Sequence, residues 1–491
     1  MTHPSAAAHA NRRRWQAFAV ATSVSALTIL DLSKVNVGIP SIERALGAGP
    51  TDIQLIVAGY ALALGLVLVP AGRLGDLFSR RTMFIAGLIT FVTASMLCAS
   101  APSVHFLVLF RIIQGVAAGI QTPQVIGMIQ ELFQGEERGR AFGVFGATIG
   151  LSTALGPTVG GLLIGVGGEP DGWRLLFWMN VPLGVAALIG AWFVLPRTPS
   201  NRVGPVYLDP VGVLLLGVTV FSLMLPFVLT TGSADDSPAR WGWLALAAAA
   251  ALCFVLWERR YAARGRTPLI NFLLFRIPSY RNGILVGGAY FAGMPAAFLL
   301  STLYLQTGLG LAPVAAGLVS ISFALCSAGT AWWSGRLVSR WGRPLVVLGL
   351  LIVVVGFMGV LVAGYYAPRE YAPWLMAAAL AVAGFGAGGV LAPNQTLTLA
   401  EIPVTDGGLA GSIGQLVQRV STAIGTAAAS SLFFATIYRE TVGSAGADDT
   451  GVYRDAFLHG FMVVIGFFIL ACVVALLDMR GRRKRAAAMA L

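Results

Sequence analysis

The residues of this sequence whose types and spacing could do chemistry are ionisable side chains embedded in apolar runs. Asp31 and Lys34 lie three residues apart in the first such run, Arg111 lies in the fourth and Arg419 in the thirteenth. A charge inside a membrane span costs at least ~2.5–3.5 kcal/mol, so these groups should face a bundle interior and find partners. The chemistry they offer is the binding and release of protons or charged solutes.

Asp31 and Lys34 share one helix face because they are three residues apart. They form either a structural ion pair or a titrating pair, in which a proton on Asp31 releases Lys34. Arg111 is a fixed positive charge, since a guanidinium keeps its proton in proteins. It either biases a nearby carboxylate or holds a neighbouring helix by hydrogen bonds. We assign Asp31, Lys34 and Arg111 as candidate proton-coupling residues.

The elements that must position these groups are membrane-spanning helices. Of the 491 residues, 57% are hydrophobic and 11% are charged, whereas soluble domains typically carry about 25% charged residues. A span needs about 20 mostly apolar residues. The sequence therefore predicts an all-α integral membrane protein. We place fourteen spans at about residues 16–38, 53–73, 82–101, 104–128, 140–165, 174–195, 210–230, 241–258, 282–307, 313–335, 344–366, 373–396, 408–435 and 457–478.

The distribution of charge predicts the orientation. Most of the 33 basic residues fall in segments on the same side of the membrane as the N-terminus. Lys and Arg concentrate in the cytoplasmic loops of membrane proteins. We therefore predict a multi-pass protein of the cell inner (plasma) membrane with both termini cytoplasmic. The first apolar run is too long for a signal peptide and is interpreted as a retained span. The basic clusters are scattered between spans, so they indicate contact with membrane lipids and no nucleic acid partner. The acidic residues predicted outside are Asp235, Asp236, Asp448 and Asp449.

An internal repeat predicts two equivalent halves. The turn Gly72–Arg81 follows the second span, and the similar turn Gly335–Arg343 follows the tenth. Repeated halves around a central site are typical of transporters. We predict an N-terminal six-helix bundle at 1–200, an inserted two-helix segment at 201–265, and a C-terminal six-helix bundle with a basic cytoplasmic tail at 266–491.

Two short segments are candidates for a conformational role. Asp76 in the repeated turn is either a solvated carboxylate or a latch that pairs with a neighbouring helix end. The fifth span carries a proline that should kink the helix and glycines that permit close packing, a pattern also common in ordinary membrane helices. The candidate gating residues are Gly72, Asp76, Arg80, Arg81, Gly156, Pro157, Gly160 and Gly161.

Polar and aromatic residues inside other spans predict an amphipathic central cavity. Such a cavity would suit lipophilic or cationic compounds, although helix packing is the more ordinary role for any single residue here. The candidate cavity residues are Asn36, Gln114, Gln121, Tyr290, Tyr304, Asn394, Gln415, Gln418 and Arg419.

Together these segments resemble the major facilitator superfamily, and more narrowly its fourteen-helix drug:proton antiporter branch. The resemblance runs over nearly the whole chain. It implies the major facilitator fold, with two pseudo-symmetric bundles plus two inserted helices, and a role of Arg111 in proton transfer. It also implies export, because Gly150–Gly161 is similar to the antiporter motif. The other matching segments are Leu30–Pro40, Gly72–Arg81, Leu107–Gly119 and Gly172–Pro182.

Departures from that pattern bear on the substrate. Lys34 replaces a residue that is usually uncharged, so it could repel cations or attract anions. Leu77 and Ser79 depart from the loop motif, and the order Gln418-Arg419 is reversed from the commoner one.

The sequence therefore predicts a proton-coupled secondary active transporter that exports small lipophilic compounds, of the multidrug efflux type. Its expected partners are a small-molecule substrate, protons and membrane lipids, and it is expected to be a monomer. A metabolite or nutrient proton symporter on the same fold is the main alternative. An enzyme is disfavoured because His105 and His459 are isolated, and a receptor because no sizeable soluble domain is predicted. We assign no catalytic residue, no metal site and no cofactor.

Overall fold

The structure is a computed structural model that describes residues 4–168, 170–196, 209–230, 237–443 and 449–489. Over these residues the regular structure is helical throughout. The acidic residues Asp235, Asp236 and Asp448 lie outside the described residues, as does the predicted domain boundary between 200 and 201.

The first part of the chain forms seven helices, of which α6 and α7 together make one span. Each span corresponds to a predicted apolar run, and α1 extends past its run at both ends. The breaks at 47–49, 78–79 and 100–103 contain Gly, Pro or Ser residues. The helices are α1 Pro4–Leu46, α2 Pro50–Leu77, α3 Arg80–Ala99, α4 Val104–Leu132, α5 Gly135–Gly167, α6 Arg174–Trp178 and α7 Asn180–Val194.

The rest of the chain forms nine helices, with the inserted pair α8 and α9 first. Helices α13 and α14 are two pieces of the predicted twelfth span, interrupted next to Gly388 and Gly389. The helices are α8 Pro210–Val228, α9 Trp243–Ala263, α10 Pro278–Leu303, α11 Pro313–Trp341, α12 Arg343–Tyr366, α13 Ala372–Gly388, α14 Leu391–Thr398, α15 Gly407–Gly443 and α16 Asp449–Met489.

The number of spans agrees with the prediction. Thirteen stretches in the described residues are long and apolar enough to cross a membrane, and α5 makes fourteen when its two bent parts are taken as one span. The parts Gly135–Thr153 and Leu155–Gly167 meet at an angle of 42°. Pro157 explains the bend, because its ring lacks an N–H and crowds the carbonyl four residues earlier.

The helix ends define two faces of the molecule. We call the one that carries the turn between α2 and α3 the basic face. Arg14 of α1 pairs with Glu137 at the start of α5 at 3.3 Å, and Arg80 pairs with Glu131 near the end of α4 at 3.1 Å. At the opposite face, Arg174 donates to the carbonyls at the turn between α3 and α4.

Helices α5 and α11 touch at the basic face and separate toward the opposite face. Gly139 lies so close to α11 that a Cβ atom on it would be 2.6 Å from the carbonyl oxygen of Gly335. At Gly143 a Cβ atom would be 2.8 Å from the carbonyl of Ala331. The stripe of glycines continues along the same face of α5 at helical spacing. A Cβ atom on Gly146 would still meet Ala392 of α14 at 3.6 Å, whereas one on Gly150, Gly161 or Gly165 would have no neighbour within 4 Å. We infer from this divergence a cleft between the two halves that is closed at the basic face.

Candidate functional site

The Asp31 carboxylate is the centre of a fully buried polar cluster in the N-terminal half. Its Oδ2 accepts a hydrogen bond from Nη1 of Arg111 at 2.7 Å. Its Oδ1 accepts from Nδ2 of Asn180 at 2.6 Å, and Lys34 Nζ lies 3.5 Å from the same oxygen. All four side chains are buried, at 0% exposure. Three of the four charges predicted to find partners inside a bundle, Asp31, Lys34 and Arg111, therefore pair with one another.

Helix spacing and helix breaks bring these groups together. Asp31 and Lys34 are one turn apart on α1, and Lys34 Nζ also donates to Oδ1 of Asn180 at 2.5 Å. Asn180 begins α7, directly after the break from α6. The principal partner of Asp31 is Arg111, not Lys34, so the predicted pair is one edge of a larger network. With one carboxylate and two cations, this network carries a net positive charge.

Arg111 is held on every side. Its Nη1 also donates to Gln114 Oε1 at 2.6 Å, and its Nε donates to the carbonyl of Ile56 at 3.3 Å. The ring of Tyr60 stacks on the guanidinium at 4.3 Å. Gln114 in turn donates to Ser95 at 2.7 Å. Gln114 was predicted to line a cavity. In the structure its amide is buried and accepts a hydrogen bond from Arg111 instead.

Sequence reasoning missed three members of this environment, namely Asn180, Tyr60 and Ser95. Asn180 and Ser95 are polar residues inside apolar runs, which is a usable signal. Tyr60 gave none, because an aromatic residue in a span is ordinary.

The candidate gating glycines of α5 pack against the same stretch of α1. A Cβ atom on Gly160 would lie 2.9 Å from the carbonyl of Lys34, and one on Gly156 would collide with Ser33. Ser33 Oγ donates to the carbonyl of Thr153 at 2.8 Å. That carbonyl is four residues before Pro157, so it has lost its helical donor, and Ser33 supplies the missing hydrogen bond. The kink of α5 is thereby attached to α1 two residues from Asp31.

Gly161 differs from its neighbours, since a Cβ atom there would meet open space. Pro157 is exposed. Both therefore lie away from the contact of α5 with α1.

At the basic face Asp76 caps a helix of the other half. Its Oδ1 accepts from the backbone N–H of Gly408 at 3.1 Å, and its Oδ2 accepts from that of Leu409 at 2.7 Å. These N–H groups are at the start of α15, where the helix dipole favours a negative charge. Arg80 pairs with the same carboxylate at 2.7 Å and donates to the carbonyl of Val404 at 2.6 Å. The contact has the geometry of the latch, not of a solvated carboxylate.

Gly72 and Arg81 have different positions in the same turn. Gly72 meets Ser412 of α15, with room for no side chain. Arg81 donates to the carbonyl of Trp192 at 2.7 Å and packs over its ring. Among the described residues, these contacts of Arg81 lie within its own half, so they do not support its assignment to the gate.

Several candidate cavity residues gather in the C-terminal half. A narrow cavity between α10, α14 and α15 is lined by Tyr290, Asn394 and Gln418 together with backbone glycines. Gln415, on the neighbouring face of α15, is half-buried. Asn36 is exposed, and it lies one turn beyond Leu32, which packs against the α2–α15 contact.

Two further cavity assignments are corrected. Tyr304 is fully buried, stacks on Phe457 at 4.6 Å and donates to the carbonyl of Gly364 at 2.6 Å, so it belongs to the core. Gln121 is buried against Gly87 of α3. Its polarity inside a span did not distinguish packing from a cavity wall.

A buried ion pair in the C-terminal half was not predicted. Arg343 Nε lies 2.7 Å from Asp478 Oδ2. Arg343 also donates to Asn394 Oδ1 at 2.6 Å, and Asn282 donates to Asp478 at 2.7 Å. The signal was a carboxylate at the end of the last apolar run.

A helical membrane fold with a cleft between two halves, and a buried carboxylate–arginine cluster beside it, defines a class of protein, the secondary transporters. A family model confirms it. The model of the Major Facilitator Superfamily matches residues 21–426, and the chain belongs to that superfamily.

Curated relatives extend this finding. The chain is 33% identical to a probable actinorhodin transporter of Streptomyces coelicolor, over 89% of this chain and 75% of the relative. It is 30% identical to a tetracenomycin C resistance and export protein of Streptomyces glaucescens, over 83% and 74%. It is 31% identical to the puromycin resistance protein pur8 of Streptomyces alboniger, over 93% and 89%. The predicted kinship with antibiotic and drug exporters is thus confirmed.

Solved structures give the same fold. The human organic anion transporter MFSD10 matches with a TM-score of 0.64 at 15% identity, covering 94% of this chain and 99% of that one. The proton:xylose symporter XylE matches with a TM-score of 0.63 at 17% identity, covering 96% of each. At such identities the likeness concerns the fold alone, and the predicted major facilitator fold is confirmed.

Proposed function

We propose that this protein is a proton-coupled antiporter that exports small, lipophilic compounds from the cell. The named activities of its relatives, export of and resistance to antibiotics, support export. The observation that carries the coupling is the Asp31 carboxylate, buried in the membrane-spanning region with Arg111 2.7 Å away. A group that binds and releases a proton in the middle of a carrier is what such coupling requires.

The buried position of Asp31 implies that proton exchange is gated. The carboxylate has 0% exposure in this conformation, so a proton reaches it only after the surrounding side chains move. Protonation removes the negative charge and frees Arg111 and Lys34 for other partners. In this scheme a proton entering from outside resets the carrier, and its inward gradient drives outward movement of the substrate.

The cleft closed at the basic face supports an outward-open state. Positive charges concentrate on the cytoplasmic side of membrane proteins, so the basic face is cytoplasmic and the protein lies in the inner (plasma) membrane with both termini inside. In the proposed cycle, the bundles 1–200 and 266–491 rock against each other, with 201–265 as an accessory segment. The protein works as a monomer in contact with membrane lipids.

The test is transport by purified protein in proteoliposomes with an imposed pH gradient, using a panel of dyes and drugs. Asp31→Asn should abolish uphill transport driven by the gradient and retain downhill exchange of the same substrate. Asp31→Glu should retain coupling, because it keeps a carboxylate. Full gradient-driven transport by Asp31→Asn would remove this carboxylate from the mechanism.

Removing one partner of a buried ion pair typically costs about 3–5 kcal/mol, so the Asn variant must also be shown to be folded. Size-exclusion profile and retained exchange activity serve that purpose.

The second candidate is proton symport on the same fold. The proton:xylose symporter shows that the fold accommodates it. The direction of substrate movement in the same vesicles separates the two: accumulation on the side toward which protons flow would establish symport.

A further inference from the structure

Arg419 lies on the face of α15 that contacts the N-terminal half. Two earlier members of this face meet α2: Gly408 contacts Asp76, and Ser412 contacts Gly72. Leu416 packs with Tyr60, and Arg419 is the next residue on this face by helical spacing. Twelve residues separate Gly407 from Arg419, which places the arginine about 18 Å from the start of the helix, near the middle of a membrane.

The described part of the chain gives Arg419 no ion pair and no hydrogen bond. Both oxygens of Asp31, the carboxylate of the neighbouring cluster, are already bound by Arg111 and Asn180. The side chain of Arg419 is only half-buried, whereas Arg111 and Lys34 are fully buried. An unpaired cation at this depth is costly, and its exposure leaves it available to a partner from outside the chain.

A second unpartnered group lies on α2, the helix that this face of α15 contacts. Tyr60 is fully buried, and its hydroxyl has no hydrogen-bond partner. Leu416 of α15 packs against the cluster that contains Tyr60, and Arg419 follows Leu416 by one helical turn. The Tyr60 ring also covers Arg111. Among the described residues, each half of the protein therefore contributes one donor without a partner to the region where α2 meets α15.

The electrostatic balance of this region selects the sign of the ligand. Among the described residues, Lys34 and Arg111 share the single carboxylate of Asp31, and Arg419 adds a third positive charge on the neighbouring face of α15. A cationic substrate in the cleft would add to this excess of positive charge, whereas an anionic substrate would relieve it. The planar guanidinium binds carboxylate and related oxygen pairs through two parallel hydrogen bonds.

We propose that Arg419, assisted by the Tyr60 hydroxyl, binds an anionic oxygen of the exported compound, so that the protein exports amphipathic organic anions such as carboxylates and phenolates. This substrate assignment rests on the proposed export function. It makes one consequence measurable. Exchange of one anion for one proton moves two elementary charges inward, whereas exchange of one cation for one proton moves none. An interior-negative potential should therefore accelerate export of the anion only. Each elementary charge that moves through 100 mV raises the limiting concentration gradient of the substrate about 50-fold.

The experiment compares two dyes with one xanthene frame, anionic fluorescein and cationic rhodamine 123. Binding to the purified protein and export from proteoliposomes are measured for the parent, Arg419→Gln, Arg419→Lys and Arg439→Gln. Arg439 is an exposed arginine near the end of the same helix, so its substitution controls for the loss of one charge. Arg419→Gln should weaken fluorescein binding about 10- to 100-fold, as expected for charge-assisted hydrogen bonds. Arg419→Lys should bind with intermediate affinity, and Arg439→Gln should match the parent.

The outcomes separate this inference from the function on which it rests. If the parent exports rhodamine 123 under a pH gradient but binds no fluorescein, or if Arg419→Gln binds fluorescein like the parent, the anion site is refuted and efflux stands. If the parent transports neither dye under a pH gradient of either sign, the export function itself is contradicted, and the substrate assignment with it.

Discussion

Replacing Asp76 by Asn should open the basic face of the protein. In the closed state the carboxylate accepts two backbone hydrogen bonds from the start of α15, at 3.1 and 2.7 Å. These bonds cross between the halves and are lost when the halves part. The pair with Arg80 lies within one half, so it contributes to both states and cancels from the comparison.

The magnitude follows from these two bonds. A hydrogen bond to a charged group contributes about 1.5–3 kcal/mol, and a charge at a helix N-terminus about 0.3–1 kcal/mol. An amide keeps one acceptor oxygen but loses the charge and the second acceptor. The closed state should therefore lose about 2–4 kcal/mol, which raises the population of the opened state roughly 30- to 900-fold.

The assay is the rate of maleimide labelling of a single cysteine at position 412. Ser412 is fully buried against Gly72 of α2, so Ser412→Cys reacts only when this contact opens. The background lacks the four native cysteines. Asp52→Asn is the matched control. Asp52 also accepts a backbone hydrogen bond at a helix terminus, but its donor is Gly49 in the same half of the protein.

A labelling rate for Asp76→Asn within threefold of the parent would refute the latch. A second reporter tests whether the opening is global. Ser339 of α11 donates to Glu136 of α5 at 3.1 Å, so a disulfide between Glu136→Cys and Ser339→Cys should form more slowly when Asp76 is replaced.

Two further predictions concern buried polar groups. Arg343→Met or Asp478→Leu alone should lower the free energy of unfolding by about 3–5 kcal/mol, while the double variant should be nearly neutral; thermal unfolding in detergent measures this, and an additive double variant would contradict the buried pair. Ser33→Ala should destabilise the protein by about 1 kcal/mol because the Thr153 carbonyl loses its donor. The same change in a Pro157→Ala background should have less effect, since the alanine N–H can bond that carbonyl; equal effects in both backgrounds would disprove the compensation.

The fold could be predicted largely from the sequence, because lipid as a solvent demands long apolar helices with satisfied backbones. The count of fourteen spans and the burial of Asp31 and Arg111 follow from that single physical constraint. The break inside the sixth span was not predicted, since the dipeptide Met179-Asn180 carries no strong breaking signal. The break inside the twelfth span was overlooked, although Gly388-Gly389 is a breaking signal.

The contacts of the site residues were harder to predict, because the polarity of a side chain inside a span does not show which neighbouring helix it contacts. Gln114 and Gln121 are seven residues apart and look equivalent in sequence, yet one binds an arginine and the other packs against α3. Asn180 joined the cluster because α7 brings its start to α1, a long-range contact that no local pattern encodes. Asp478 was overlooked because it lies at the edge of its span.

All three groups that contact the Asp31 carboxylate belong to the N-terminal half. Rocking of one half against the other leaves that cluster intact. The proton and Arg111 therefore compete for the Asp31 carboxylate within one rigid half. Tyr60 is the side chain that touches both Arg111 and the seam with α15. The Tyr60 ring is therefore one route by which the protonation state of Asp31 reaches this seam, and substitutions of Tyr60 should weaken the coupling of proton movement to substrate movement.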